Sequence, residues 1–494
     1  MSRLKEHSGL LKLVLMIILS CITQVVSLMK SSVIAGTFGV SAEIDAFNFA
    51  NSIATFLFSF VTAGISTIII PCYVKRLNRK NTDSFITIII LGMVIVTALV
   101  LMLRTPIISM ITERDDEFVD LSGKVMIVLN ISNLFGILTS VTSAYFQYAE
   151  KYNLPKTITL IAQIVVVAFV TFDKDITILQ YAFVIGIGIV LNSFFDLLFA
   201  IKSGWRYKPS FAINDEETKR LFIMFIPILF STGVYQLSLM IDSGIASRLN
   251  TGDVTILNYA NQISAMVNTL LVSNLLVYFY PKLVKDIEEK REQKTFWEKT
   301  YFFHAIMCLV IAGYAVVGRE GVSLLFEHGK FSSEATDSVF VLGLIYISAQ
   351  QINVVRDLMY RYFYSFGDTK STTINSVIAT IVNIVFSLLL VNIIGLYGIV
   401  VGTAISSIVS LITVMIRFKK LFGYSEKINT IIIQYSKSFL ITILSILFTL
   451  MTKRSIVIDN DIISLVIFGI EVVVIYTLLT LIFNRKIKDI ASKL

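Results

Sequence analysis

The sequence predicts an all-α polytopic membrane protein of fourteen transmembrane helices, two six-helix repeats followed by two C-terminal helices. Three observations predict it. Of 494 residues, 55% are hydrophobic and only 15% charged, with a mean hydropathy of +0.80, more apolar surface than a water-soluble core could bury. Apolar runs of about 20 residues, the length a hydrocarbon core demands, recur along the whole chain. Finally, a stretch near the N-terminus returns about 210 residues later. Ser27-Leu28-Met29 with Ile34-Ala35 reappears as Ser238-Leu239-Met240 with Ile245-Ala246. Asn48-Phe49-Ala50-Asn51-Ser52-Ile53 reappears as Asn258-Tyr259-Ala260-Asn261-Gln262-Ile263, and Pro71-Cys72-Tyr73-Val74-Lys75 as Pro281-Lys282-Leu283-Val284-Lys285. Matches held in register over that distance imply two homologous halves. Duplicated membrane halves usually build a transporter with its substrate site between them.

Taken in order, the first half carries spans at 9–35, 46–73, 84–103, 123–148, 155–173 and 176–201. The second carries them at 220–247, 254–280, 300–318, 338–364, 371–392 and 395–416; spans at 428–452 and 461–483 lie outside the repeat. This divides the chain into an N-terminal lobe (1–203), a C-terminal lobe (204–420) and a closing pair of spans with a tail (421–494). Placing the amino terminus inside puts most of the 42 basic residues on the cytoplasmic side, including Lys75, Arg76, Lys202, Lys208, Lys282, Lys285, Arg417, Lys419 and Lys486. Both termini are then cytoplasmic. The first apolar run follows basic Arg3, Lys5 and Lys12 and reads as a retained span.

The formal charge of +8 is thereby a topology signal. Its basic residues are scattered over short loops, which argues against a nucleic-acid partner and for attraction to anionic lipid head groups. Cys21, Cys72 and Cys308 lie in or beside apolar segments, the ordinary use of cysteine as a small hydrophobe. His7, His304 and His328 lack metal-ligand spacing, and no glycine loop ends in Gly-Lys-Ser/Thr, so no metal, cofactor or nucleotide chemistry is expected. The outer segments at 104–122 and 319–337 are too short to scaffold an enzyme, so the chain reads as a transporter.

Function should sit where ionisable and amide groups enter the membrane despite the cost. Lys30 in the first span and Asp242 in the seventh occupy nearly equivalent repeat positions, and either line a cavity or form a salt bridge. Asn51 and Asn261 are repeat mates, with Gln236 and Gln262 nearby as further hydrogen-bonding groups. Arg356, adjacent to Asp357, is a phosphate ligand through its planar fork or a member of a structural ion pair. Asp45 is an outer gate residue or a helix N-cap. Arg361 at the end of the tenth span, and Asp368 and Lys370 after it, are assigned to the gates with it. Pro227 and Gly233 mark a hinge or a static kink in the seventh span. Gly398 and Gly402 give a Gly-x-x-x-Gly spacing for close helix packing. Lys437 and Glu471 lie at similar depth, as an ion pair or as the polar edge of a lipid-tail groove, and Asp196 is expected to snorkel to water.

These motifs carry a resemblance. Phe38-Gly39 followed by Asp45-Ala46-Phe47, Asn258-Tyr259-Ala260-Asn261, Leu325-Phe326 with Gly329 and Phe331, and Arg361-Tyr362-Phe363-Tyr364 leading to Gly367-Asp368-Thr369-Lys370 together resemble the lipid II flippases of the MurJ (MviN) type. That family lies within the multidrug, oligosaccharidyl-lipid and polysaccharide exporter superfamily. The resemblance runs from about residue 10 to 420. It implies a two-lobed bundle in a bacterial plasma membrane, with a cationic, solvent-filled cavity that moves an undecaprenyl-pyrophosphate-linked saccharide from the inner to the outer leaflet. The sequence also departs from the family. Where lipid II-type members look to carry arginines in spans one, two and eight, this chain has Lys30, Phe58 or Ser59, and Gln262; the acidic position before the span-two glycine is Ala63, beside Gly64.

On these departures the expected substrate is a capsule or exopolysaccharide repeat unit on a polyprenyl pyrophosphate, with lipid II as the alternative. A drug or cation antiporter of the same superfamily is the alternative from another class. A membrane glycan polymerase would need a larger outer loop with paired acidic or basic residues, and a scaffold without transport would be consistent with lost arginines. Lys30 is expected to attract the phosphate, with Asn261, Gln262 and Gln236 bonding phosphate or sugar by alternating access. Energy would come from the membrane potential or an unidentified ion, and the expected partners are the lipid-linked saccharide and membrane lipids, with the chain a monomer.

Overall fold

The structure is a computed structural model that describes residues 2–74, 78–173, 175–273, 293–366, 368–456, 458 and 460–491. Basic residues Lys75, Arg76, Lys282, Lys285, Lys290 and Arg291 lie outside the described residues, as do the repeat match at 281–285, the span end at 274–280, Gly367 and the Pro227 and Ala63 side chains.

Every described element is helical: α1 (Ser2–Phe38), α2 (Ala42–Val74), α3 (Arg79–Met102), α4 (Arg104–Ile111), α5 (Asp116–Tyr148), α6 (Asn153–Phe172), α7 (Ile178–Lys202) and α8 (Glu216–Ser247). They continue with α9 (Asp253–Val267), running into a π-helical turn (Asn268–Ser273), then α10 (Lys294–Phe326), α11 (Ser333–Ser365), α12 (Lys370–Ile394), α13 (Leu396–Phe422), α14 (Ile428–Ser455), α15 (Asp461–Phe483) and α16 (Arg485–Ala491). Of the described helices, 11 are long and apolar enough to cross a membrane: α1, α3, α5 to α7 and α10 to α15. In lipid every backbone group must find a partner within its own segment, which is why such runs are helices throughout. Helix starts are closed by side chains that accept the first free N–H groups: Asp115 for α5, Thr177 with Gln180 for α7, Asp215 for α8, Ser332 for α11 and Asn460 for α15. Helix α4 was not expected, since 104–122 reads as loop. Its Pro106 sits in the first turn, where the missing N–H costs nothing.

By contact the chain forms two units, Met1–Thr255 and Ile256–Leu494. In the first, α2 packs against α5 and α8, α5 against α7, and α1 against α6. Its core gathers Phe58, Ile65 and Ile69 of α2, Phe85 of α3, Val141 and Phe146 of α5, and Leu221 and Phe225 of α8. Helix α8, the first of the second repeat, thus shares the first unit's core. The segment before it, 203–215, is a strap laid on α3. The N–H groups of Lys208, Ser210 and Ala212 donate to Asp83 Oδ2 (3.2 Å), Thr87 Oγ1 (3.2 Å) and Ser84 Oγ (3.0 Å).

In the second unit, α12 packs along α13, α11 along α10 and α13, and the closing pair α14 and α15 against α10. The Gly-x-x-x-Gly expectation is met at contact level. A Cβ at Gly402 would lie 2.7 Å from Ser387 N, and one at Gly398 would meet the Leu390–Val391 backbone. An aromatic cluster, including Phe296, Trp297, Tyr362, Phe418 and Phe422, ties α10, α11 and α13 together. Lys486 of α16 binds both carboxylate oxygens of Glu426 at 2.7 and 2.9 Å. Tyr301 donates to the same carboxylate at 2.8 Å, holding the tail against α10.

Candidate functional site

Asp45 lies in the first turn of α2 with its side chain fully buried. It does not cap its own helix. Its carboxylate accepts from Gly252 N (2.6 Å), Thr255 N (2.9 Å) and Thr255 Oγ1 (2.7 Å), and so caps the start of α9. Thr255 stands 210 positions from Asp45, so it is the repeat counterpart of the residue that binds it. Asn48 adds a bond from Nδ2 to Thr255 Oγ1 at 3.2 Å.

Arg114 closes the network. Its guanidinium is 3.5 Å from Asp45 and donates to Ser247 O (2.8 Å), Thr251 Oγ1 (2.7 Å) and Asn250 O (2.7 Å). Arg248 reaches back to Ile111 O and Glu113. Gly252 is needed there: its φ is +96°, and a Cβ would lie 2.8 Å from Val40 O. One carboxylate and two arginines therefore tie the α4–α5 turn to the α8–α9 turn, with Asp45 joining α2 to the latter. Sequence reading singled out Asp45 but missed Arg114, Arg248, Asn48 and Thr255. The signal was the charged run Glu113-Arg114-Asp115-Asp116 opposite a Thr-Gly-Asp turn.

The remaining candidates in the first unit separate by partner. Lys30, Asn51 and Gln236 are half-buried and make no hydrogen bond or ion pair among the described residues. Asp242 is buried and engaged, but not with Lys30, so the salt-bridge alternative for that pair is not formed. Helix α8 is unbroken through 227 and Gly233. In the second unit Asn261 is half-buried with no hydrogen-bond partner among the described residues, whereas Gln262 and Arg361 are engaged. Half-buried polar side chains with unspent donors and acceptors are unusual in a membrane protein unless water or a ligand meets them.

Arg356 bonds its own neighbour. Nε and Nη2 reach Asp357 Oδ1 at 3.0 and 2.8 Å, and the guanidinium lies 5.4 Å from the Tyr360 ring centroid. Arg356 thus forms an ion pair with the next residue and is engaged by a further interaction besides. Asp368 accepts from Ser371 N (2.9 Å) and Ser371 Oγ (2.6 Å), and Arg417 donates to Ser371 Oγ at 2.9 Å. Burial works against its charge, but these hydrogen bonds and the nearby Arg417 charge win and hold the carboxyl below its ordinary value. Lys370 is exposed.

Two expectations are corrected. Glu471 accepts from Thr452 Oγ1 at 2.7 Å, while Lys437 is exposed and not paired with it. Similar depth does not imply facing directions, because azimuth around each helix decides contact. The pair that does bind α14 to α10 is Lys453 with Glu320, reinforced by Ser464 to Glu320 at 3.2 Å. Asp196 does not snorkel; it is fully buried in α7.

The family profile described as Lipid II flippase MurJ matches residues 34–467. A protein named "Probable lipid II flippase MurJ" from Rickettsia prowazekii (strain Madrid E) is 23% identical over 418 residues, 80% of this chain and 80% of its own. One of the same name from Thermotoga maritima is 21% identical over 420 residues, 81% of this chain and 83% of its own. Among solved structures, lipid II flippase MurJ in an inward closed conformation superposes with a TM-score of 0.83 at 18% identity, covering 96% of this chain and 99% of that one. An inward-facing multidrug resistance MATE family transporter of the MOP superfamily superposes with a TM-score of 0.65 at 13% identity, over 82% of this chain and 96% of that one. The structural likenesses speak for the fold, and the profile match over most of the length decides membership. The chain belongs to the lipid II flippase MurJ family.

Proposed function

We propose that this multipass membrane protein is a flippase that moves lipid II, the polyprenyl-pyrophosphate-linked peptidoglycan precursor, from the inner to the outer leaflet by alternating access. The observation that carries the reading is the family match across residues 34–467. It favours lipid II over the capsule or exopolysaccharide repeat unit expected from sequence. We read α2, α8 and α9 as spans beside the other 11, giving fourteen, with both termini cytoplasmic and the chain a monomer. Lobes 1–203 and 204–420, with 421–494 appended, are the evolutionary units in this reading.

In the proposed mechanism Lys30 meets the pyrophosphate, and Asn51, Gln236, Asn261 and Gln262 bond phosphate or sugar. Four of these five have no partner among the described residues, which supports a ligand-facing role. Asp242 and Arg356 act as charge neighbours of that site, and Pro227 and Gly233 serve as its hinge. The Asp45 network serves as the outer gate, and Arg361, Asp368 and Lys370 as the opposite one. The polyprenyl tail stays in lipid, because extraction would cost about 0.8 kcal/mol per CH₂. No nucleotide or metal cofactor enters this mechanism.

The repeat-unit flippase remains a second reading, favoured by one observation. Phe58 or Ser59 and Gln262 stand where the resemblance places arginines, leaving Lys30 as the remaining cation of three. Depleting the protein in its host and labelling lipid-linked saccharides from the outer face tests both. Trapped lipid II, reproduced by Lys30→Ala, supports the proposal. Normal lipid II exposure with another saccharide-lipid trapped would move the assignment to the repeat unit, and no change in either would favour the antiporter.

A further inference from the structure

We propose that Asp196 is a proton-binding site in the first unit, carrying a proton in the conformation described and releasing it in another. The carboxylate is fully buried in a membrane span. Its partner is Asn192 one turn earlier, whose Nδ2 lies 3.4 Å from Oδ2, at the long limit of a hydrogen bond. Asp196 Oδ1 and Asn192 Oδ1 are both buried without a donor. Two buried acceptor oxygens one helical turn apart call for a hydrogen donor rather than an anion, and a carboxylic O–H supplies one.

Among the described residues the neighbours supply no cation. Helix α7 packs against α5 and α6 and touches α2. Near this end of the bundle α5 brings Tyr145 and Tyr148, α6 brings Lys156, α2 brings Tyr73, the turn after α5 brings Lys151, and α7 itself brings Lys202. Tyr145 Oη and Lys151 Nζ are committed to Ser203 at 2.7 and 2.9 Å, and Tyr73 accepts from the Trp205 indole at 2.9 Å. Lys156, Lys202 and Tyr148 are exposed. Next to Asp196, Ser193 bonds Thr139 of α5 at 2.8 Å, so the hydroxyls there are also spent. An unpaired carboxylate in such a place costs several kcal/mol, and the group escapes that cost by taking a proton from water to form an O–H bond. A sodium ion would need several more oxygens than the two that are free. Lys202, the last residue of α7, is about 9 Å away along the helix, so a modest movement of α7 brings the carboxyl to water, where it returns the proton.

The test is infrared titration of the full-length protein in liposomes. A protonated-carboxyl stretching band present at neutral pH, absent in Asp196→Asn and shifted in Asn192→Ala, is the expected result. If wild type and Asp196→Asn give the same spectrum, or if sodium at fixed pH removes the band, the proposal is overturned. Asn192→Ala keeps the test available should Asp196→Asn fold poorly. A second arm rests on the flippase reading: lipid II flipping should change at least severalfold with an imposed pH difference in wild type and lose that response in Asp196→Asn. Absence of flipping in wild type would count against the flippase reading and leave the infrared result standing, whereas flipping that ignores pH would confine Asp196 to a structural proton.

Discussion

Asp45 concentrates its bonding: two backbone amides, a hydroxyl and an arginine converge on two buried oxygens. Hydrogen bonds to an ionised acceptor are roughly twice as strong as neutral ones. Asp45→Ala should therefore cost about 3–5 kcal/mol, the usual penalty for breaking a buried charged contact. A melting curve in detergent would show it, and the double variant with Arg114→Ala should fall short of the summed losses because both residues serve one network. Asp368 makes a pH-dependent contribution of known sign. Its folded value lies below the ordinary 3.8, so its stabilisation is complete above that value and is lost as pH falls through the depressed one. Asp368→Asn should flatten the acid limb of stability against pH while Lys370→Gln leaves it unchanged. At this scale the sequence named the right residue types in the wrong relations. Asp45 was legible as a polar residue at a span start, but its partners were not, because they lie 69 to 210 positions away in the chain. Arg356 was legible as charged, and its pairing with the adjacent Asp357 depended on rotamers that no spacing rule reports.

Helices were the most legible elements, since the hydropathy that demands a lipid solvent also demands helical hydrogen bonding. What the sequence lacked was rotation about each axis, hence the misreading of Glu471 and Asp196; the short α4 was missed because 104–122 reads as loop. Glycines were an exception, because absence of a side chain is itself a packing signal. Gly402→Ala forces a methyl against Ser387 N and Oγ, each 2.7 Å from the ideal Cβ, so α13 must shift from α12. Such overpacking should destabilise by about 1–3 kcal/mol. Gly313→Ala in α10 has nothing within 4 Å and should be neutral or stabilising, so paired thermal melts of these two variants isolate the effect of helix contact from that of helix propensity.

For the whole molecule, duplication and charge asymmetry were readable because each is a statistic over many residues, whereas the unit boundary at Thr255 depends on which core accepts α8. Orientation is a prediction to be checked directly. In a chain with Cys21, Cys72 and Cys308 replaced by alanine, an impermeant maleimide should label His328→Cys in intact cells and Lys420→Cys only after permeabilisation. The reverse pattern would invert the topology. The strap that joins the repeats, 203–215, has a consequence for how the chain can vary. It spends its amide hydrogens at Lys208, Ser210 and Ala212, while Pro209, which has none to give, falls between them. At these three positions the attachment is written in main chain on the strap side and in the side chains of α3 on the other, whereas Trp205 and Tyr207 hold with their own side chains, to Tyr73 and Thr87. Saturation mutagenesis should then find the three strap positions tolerant of nearly every amino acid except proline, and Asp83, Ser84 and Thr87 far less tolerant. Sequence drift at those three positions of the joint would be almost silent, its grip there recorded in the helix beneath, while Trp205 and Tyr207 would be the strap residues that resist change.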